Sequence, residues 1–142
     1  MKDDVILYNP RAKGFDEMDF DFAALHETAH RADFLNIQSF ENKRFREAID
    51  RAAKDVQKNI SLYKTLESKI RQGAMKDILS ALSGGELFED SGHTRAYWAA
   101  RADNRALEIF AELFVLEAQN SPELKIVKMA WPELWKAYEA LF

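Results

Sequence analysis

Cysteine is absent from this chain of 142 residues, and that absence excludes three kinds of site. Without cysteine the protein has no disulfide framework, no thiolate-bound metal and no cysteine nucleophile. A surplus of basic residues is also missing, because the formal net charge at pH 7 is −4 and no basic stripe is interleaved with aromatic residues. The charge balance therefore gives no electrostatic case for nucleic acid as a partner.

Long apolar runs are missing as well. The most apolar stretch, Ala106–Ala118, is interrupted by three glutamates, which argues against a membrane span. No signal peptide is visible, since the residues Met1–Asp4 are acidic and the apolar run Val5–Tyr8 after them is far too short. We therefore expect a soluble protein with no membrane partner.

Length and composition favour one domain over residues 1–142. The chain is 47% hydrophobic and 31% charged, as is ordinary for a globular protein, and no repeat or linker marks a second domain. One short strand is predicted at Val5–Tyr8. Helical spacing and turn signals predict helices over residues 19–37, 39–73, 74–82 and 104–119, and two closing helices that begin near Pro122 and Pro132. The predicted fold class is mainly α with a minimal β element (α+β).

Two of the three histidines stand in the segment His26-Glu27-Thr28-Ala29-His30. Positions i and i+4 of a helix share one face, so both imidazoles could reach one metal ion at roughly 2.0–2.1 Å. Glu27 would then be placed to take a proton from a bound water as a general base. The alternative is a surface helix whose two histidines are solvated.

A third ligand has to come from elsewhere in the chain. The helix predicted from residue 104 is apolar nearly all round, yet it carries Glu108 and Glu112 on one face. A carboxylate in such a helix is costly unless a metal ion or a hydrogen-bond donor meets it. This helix, with Glu108 and Glu112 on one face, is therefore the expected source of the third ligand. The alternative places both glutamates on a narrow wet stripe, paired with Arg101 or Arg105.

Three further residues are candidates for supporting roles. Asp33 follows His30 by three positions and would accept an imidazole N–H, unless it is simply exposed. His93 and Tyr97 form another i, i+4 pair after a flexible loop. Tyr97 is the first candidate, and His93 the second, to stabilise an oxyanion during hydrolysis. The alternative is that Tyr97 packs beside Trp98 while His93 is exposed.

These segments resemble a known group of enzymes. Leu25–Asp33 and Glu108–Phe114 resemble the gluzincin metallopeptidases, and more narrowly the protease domain of anthrax lethal factor, which pairs H-E-x-x-H-x-x-D with a later E-[aromatic/aliphatic]-F-A-E-x-F helix. Gly92-His93, Tyr97-Trp98 and Trp131–Trp135 are similar to the metallopeptidase-type domains at the C-terminal ends of some phage head-morphogenesis proteins.

The resemblance implies a zincin-like metallopeptidase core that binds Zn²⁺. Its zinc ligands would be His26, His30 and Glu108, its general base would be Glu27, and Glu112 would support the ligands from the glutamate helix. The protein would be virion-associated, cytoplasmic or delivered into a target cell.

The chain also departs from that group at two places. The lethal-factor tyrosine lies seven residues before the zinc glutamate, where this chain has Arg101, whereas Tyr97 lies eleven before it. Zincin domains build several strands before the active helix, and this chain has room for about one, Val5–Tyr8. Either the sheet is reduced, or the chain is a piece of a longer parent protein that supplies the rest.

The predicted function is zinc-dependent hydrolysis of a protein or peptide substrate, by a phage or toxin-type effector. Hydrolysis of another amide would use the same ligands and stays open. A different class of function, a non-enzymatic zincin-like structural or interaction module, stays open as well. An open coordination position favours catalysis, whereas a closed four-ligand site that includes His93 favours a structural metal.

Overall fold

The computed structural model describes residues 17–89 and 92–142, with side chains from Phe22 onward. The helices in these ranges are α1 (Glu17–Ala32), α2 (Lys43–Lys58), α3 (Ile60–Leu66), α4 (Gly73–Ser83), α5 (Arg95–Ala100), α6 (Ala102–Ala118), α7 (Leu124–Ala130) and α8 (Pro132–Glu139). No strand occurs in the described ranges, so the mainly α prediction is confirmed there. The predicted strand Val5–Tyr8 lies outside the described residues.

Helix α6 is the central element of the fold. It packs against α1 and α4, and α2 in turn packs against α4 and α8. From Ala106 to Leu113 every residue of α6 is buried, which confirms the prediction of a buried central helix. No helix among the described residues has the length and apolar character needed to cross a bilayer. Two of the three glutamates of α6, Glu108 and Glu112, therefore lie inside a packed layer, where their charge needs compensation.

Side-chain caps and turn residues set several helix ends. The Asn42 side chain accepts a hydrogen bond from the Phe45 N–H at 2.9 Å, which caps α2. Gly84 ends α4 in the left-handed region, with a φ of 65°, as its sequence position predicts. Pro132 occupies the first turn of α8, whereas Pro122 lies two residues before α7 begins.

The helix predicted over residues 39–73 is wrong in its length. It is divided at Asn59 into α2 and α3, and α3 ends at Leu66, before Gly73 begins α4. The Asn59 amide donates to the Asp55 carbonyl and to the Asp55 carboxylate, both at 3.0 Å. Such local bonds give the backbone an alternative to continuing the helix, which is the physical reason for the break.

A wider turn joins α1 to the next segment. Residues Asp33–Ile37 form a π-helical turn, and Gln38 follows in the left-handed region with a φ of 55°. The buried Asp33 carboxylate accepts hydrogen bonds from the Ser39 N–H and the Ser39 hydroxyl, both at 2.6 Å. These bonds hold the end of α1 and thereby fix where the second histidine of α1 lies.

Candidate metal centre

Helices α1 and α6 bring the three predicted ligands together. His26 Nε2 and His30 Nε2 lie 3.0 Å apart. Glu108 Oε2 lies 3.3 Å from His26 Nε2 and 3.5 Å from His30 Nε2. The ligand atoms of these three residues all lie within 4.8 Å of one another. Two neighbouring helices thus direct two imidazoles and one carboxylate at a single point.

The donor set fits a tetrahedral divalent cation. Ligand atoms at about 2.0–2.1 Å from a tetrahedral zinc ion are separated by roughly 3.3–3.4 Å, close to the three separations found here. Two of the polar atoms, Glu108 Oε2 and His30 Nδ1, are buried and have no hydrogen-bond partner among the described residues. An unpartnered buried carboxylate oxygen that faces two imidazole nitrogens is what a bound cation would satisfy.

Glu112 orients the first histidine. Its carboxylate is fully buried, and Oε1 receives a hydrogen bond from His26 Nδ1 at 2.5 Å. Because Nδ1 is occupied in this way, the Nε2 atom of His26 is the one that faces His30 and Glu108. A carboxylate that holds the far nitrogen of a ligating histidine is typical of metal sites. The resemblance implies a supporting role of this kind for Glu112, and that role stays a prediction.

The ionisable side chains of this centre shift one another's pKa values. Burial lowers the pKa of His26, but the contacts with Glu108 and Glu112 outweigh burial and raise that pKa to about 10. Burial would raise the pKa of Glu108, yet contact with His26 and His30 holds it well below its usual range. In the absence of metal the cluster therefore binds a proton on His26, and a metal ion would have to displace that proton.

The other two candidates also contact Glu108. The Tyr97 hydroxyl donates a hydrogen bond to Glu108 Oε1 at 2.9 Å, and His93 Nε2 lies 3.5 Å from Glu108 Oε2. The His93 and Tyr97 rings stack, with their centroids 4.1 Å apart. Burial, together with the Glu108 charge, raises the pKa of Tyr97 above its ordinary value. Both side chains therefore border the predicted ligand.

The bond between Tyr97 and Glu108 is not predicted by the sequence pattern, which favours either an oxyanion donor or a packing residue at Tyr97. The two residues lie on different helices, and the extended backbone at Arg101, between α5 and α6, brings them together. Helical spacing alone does not predict that break. Trp98 behaves as a packing residue, because it is buried and its indole N–H donates to the Ser80 hydroxyl at 3.1 Å.

Glu27 and Asp33 occupy different environments. The Glu27 side chain is exposed on α1, directly after His26. Asp33 does not accept an imidazole N–H, and the prediction that it does is corrected here. Its two oxygens are engaged by Ser39, while His30 Nδ1 has no hydrogen-bond partner within the described parts of the chain. The π-helical turn is the physical reason, since it directs the Asp33 carboxylate toward Ser39.

Burial excludes two alternatives that the sequence left open: a wet stripe of glutamates on α6 and a surface helix with solvated histidines. Glu108 is 6% exposed and Glu112 is 0% exposed, so the two glutamates do not form a wet stripe. Arg101 instead lies 3.8 Å from Asp103, at the start of α6. The His26 and His30 side chains are only 16% and 17% exposed, which is not the state of solvated surface histidines.

Comparisons with protein-family models, with curated proteins and with solved structures give no match for this chain. The case for a function therefore rests on the residues of the centre and on their geometry.

Proposed function

We propose that this chain is a zinc-dependent metallopeptidase of the gluzincin type with a zincin-like core. His26, His30 and Glu108 would hold the ion. The observation that carries this proposal is the convergence of two imidazole nitrogens and one carboxylate oxygen within 4.8 Å at a half-buried point. Three protein ligands leave a fourth position for water or substrate, as catalytic zinc sites require.

Zinc, when bound, would polarise a substrate carbonyl and lower the pKa of a coordinated water. Glu27 follows a ligand directly and its carboxylate is exposed, so it can receive a proton from the attacking water and deliver it to the leaving amine. The Tyr97 hydroxyl and the His93 imidazole supply donors beside Glu108, where negative charge would develop on the carbonyl oxygen. The substrate would be a protein or peptide.

One observation favours a second function. His93 Nε2 lies 3.5 Å from Glu108 Oε2, a separation that a fourth ligand of a closed site could also show. In that case the chain is a non-enzymatic zincin-like structural or interaction module. Either function is compatible with a role as a phage or toxin-type effector. The chain could act in that role by itself or as a piece of a longer parent protein.

Elemental analysis tests the metal part of the proposal. Protein purified without a metal-binding tag is expected to contain about one zinc ion per chain, and His26→Ala and Glu108→Ala are expected to lose it. Thr28→Ala, on the exposed side of α1, is the matched control and should keep the zinc. A wild-type protein that purifies and reconstitutes without zinc would contradict the proposal.

Glu27→Gln tests the catalytic part. The substitution removes the proposed base but no ligand, so zinc content should stay at the wild-type level while peptide cleavage is abolished. Cleavage at the wild-type rate would show that Glu27 is not the base. X-ray absorption at the zinc edge then separates the two functions, because loss of one nitrogen ligand in His93→Ala would indicate the closed site.

A further inference from the structure

A basic groove lies along α2, where that helix meets the first turn of α6. Two adjoining cavities of about 590 and 320 Å³ share Asp50 and Arg105 among their lining residues. We call this region the α2 groove, and its principal lining residues are Arg46, Asp50, Lys54 and Lys58 from α2, Leu82 from α4 and Arg105 from α6. None of them is a predicted metal ligand or a predicted catalytic residue.

The four α2 residues of the groove recur every fourth position. Residues four apart lie on one face of a helix, so Arg46, Lys54 and Lys58 form a single row that only Asp50 interrupts. Arg105 adds a fourth cation from the opposite wall. The groove is therefore strongly positive in a chain whose formal net charge is −4. The sign of the charge in the groove is therefore opposite to that of the molecule as a whole.

Three of these cations are available to a partner. Arg46 is already engaged, because its guanidinium lies 3.3 Å from Asp103 and donates to the Phe40 carbonyl at 3.0 Å. No carboxylate in the described part of the chain lies within ion-pair distance of Lys54, Lys58 or Arg105. Like charges one turn apart on a helix repel each other, and a bound anion would relieve that repulsion.

The dimensions and the floor of the groove indicate what kind of anion would fit. Ala53 and Leu82 lie at the floor of the groove, but they are 7% and 0% exposed, so the floor offers a partner little apolar surface and the charged walls dominate. Residues one turn apart on α2 are separated by a rise of about 6 Å, while alternate side chains of an extended peptide are about 6.6–6.8 Å apart. A row of acidic side chains at alternate positions would match the row of lysines.

We propose that the α2 groove binds an acidic peptide segment in an extended conformation. Carboxylates at alternate positions pair with Lys54 and Lys58, and Arg105 on the opposite wall pairs with a further carboxylate of the segment. A single-stranded nucleic acid is less well matched, because its bases stack on exposed aromatic side chains and the large aromatic residue that lines the groove, Trp98, is buried. An anionic lipid surface is less well matched because it is bound by clusters of about four to eight Lys or Arg residues, more than the cations available here.

Fluorescence anisotropy with the full chain tests this proposal. The probe is a labelled short peptide in which glutamate alternates with leucine, and the same peptide with glutamine at each glutamate is the control. We expect the glutamate peptide to bind, its affinity to fall as salt is added, and the glutamine peptide to bind at least about tenfold more weakly. Equal binding of the two peptides would overturn the proposal.

A charge-change variant identifies the surface. Lys54→Glu combined with Lys58→Gln, which avoids a new anion at the C-terminus of α2, should weaken peptide binding about tenfold. Lys125→Glu combined with Lys69→Gln makes the same change of charge at exposed lysines outside the groove and should leave binding within about twofold. An equal loss in both variants would show non-specific attraction and overturn the assignment.

Two competitors decide the class of partner. Single-stranded oligothymidylate and phosphatidylserine vesicles are added to the complex at matched negative charge. Failure of both to displace the peptide supports the peptide assignment. Displacement by oligothymidylate at lower concentration than by unlabelled peptide would assign the groove to nucleic acid instead, and the same result with vesicles would assign it to a membrane surface. Either displacement overturns the proposal.

Discussion

The carboxylates of Asp55 and Glu108 have contrasting hydrogen-bond partners in this fold. Asp55 Oδ2 accepts hydrogen bonds from the Tyr63 hydroxyl at 2.6 Å and from the Trp131 indole N–H at 3.1 Å. Asp55 Oδ1 accepts from Asn59 at 3.0 Å. Every one of these donors is neutral, and both carboxylate oxygens of Asp55 are satisfied. This cluster joins α2 to α3 and to the residue before α8.

Glu108 has a different set of neighbours. Its Oε1 accepts from Tyr97, but its Oε2 faces imidazole nitrogens and lacks a hydrogen bond from any described residue. Neutral donors can stabilise a fold without a ligand, whereas an unsatisfied oxygen among imidazoles needs a proton or a metal ion. The Asp55 cluster is thus complete without a ligand, whereas the Glu108 cluster has an unsatisfied oxygen at the position where the proposed cation would bind.

The largest expected effect separates the two clusters by metal affinity. Glu108→Gln should weaken zinc binding by more than about a hundredfold, because it removes a charged ligand. Asp55→Asn, the matched amide substitution, should leave zinc affinity within about twofold, since no imidazole contacts that residue in the described structure. Competition with a chromophoric chelator measures both. Equal affinities of the two variants would mean that Glu108 is not a ligand.

A smaller effect is expected for Glu112, which would act on the proposed metal through His26. Glu112→Gln keeps an acceptor but removes the charge that orients the imidazole, so zinc affinity should fall about tenfold. Glu117→Gln is the control on the same helix, because Glu117 is exposed and, among the described residues, accepts a hydrogen bond only from the Tyr138 hydroxyl, at 3.3 Å. Zinc titration of the two variants compares them, and an unchanged affinity in Glu112→Gln would remove Glu112 from the site.

A third prediction concerns stability. Here the change is made in the Asp55 cluster, and the free energy of unfolding rather than the zinc affinity is expected to fall. Asp55→Ala should lower the free energy of unfolding by about 1–3 kcal/mol, because the Tyr63 hydroxyl and the Trp131 N–H lose a buried acceptor. Zinc content should stay at the wild-type level. Urea unfolding in chelator measures the change. A loss below about 0.5 kcal/mol would show that the cluster is not a structural anchor.

Local patterns in the sequence were sufficient to predict α1 and α6, the two helices that carry the candidate ligands. The spacing of His26 and His30 places them on one face of α1, and the apolar surroundings of Glu108 predict its burial in α6. Each of these inferences needs only helical periodicity and the cost of burying charge. They therefore do not depend on how the intervening chain is routed.

Other features depend on tertiary geometry that periodicity does not contain. Asp33 pairs with Ser39 because a π-helical turn widens the end of α1, and no spacing rule indicates such a turn. The break at Asn59 depends on side-chain bonds that compete with the helix. The contact of Tyr97 with Glu108 depends on the extended backbone at Arg101, between α5 and α6. The convergence of His26, His30 and Glu108 was thus predictable from the sequence, whereas the contacts around them were only partly so.

The last expected effect is a pH dependence in chelator-treated protein. The folded-state pKa of His26 is raised to about 10 from 6.5, although burial alone lowers it. A raised folded-state pKa gives stability that is fully present below about pH 6.5 and is lost as the pH rises through about 10. The lowered pKa of Glu108 acts in the opposite sense, so its contribution is present above its usual value of 4.5 and is lost as the pH falls.

Urea unfolding across this range tests the coupling. Wild-type protein in chelator should lose stability between about pH 7 and pH 10, and His26→Gln should lose less, because it has no proton to release. Tyr63→Phe alters only the Asp55 cluster and should keep the wild-type slope. Zinc-saturated protein should also have a shallower slope, since a ligating imidazole is held neutral. A wild-type slope that persists unchanged in His26→Gln would show that the charge on His26 is not what couples α1 to α6.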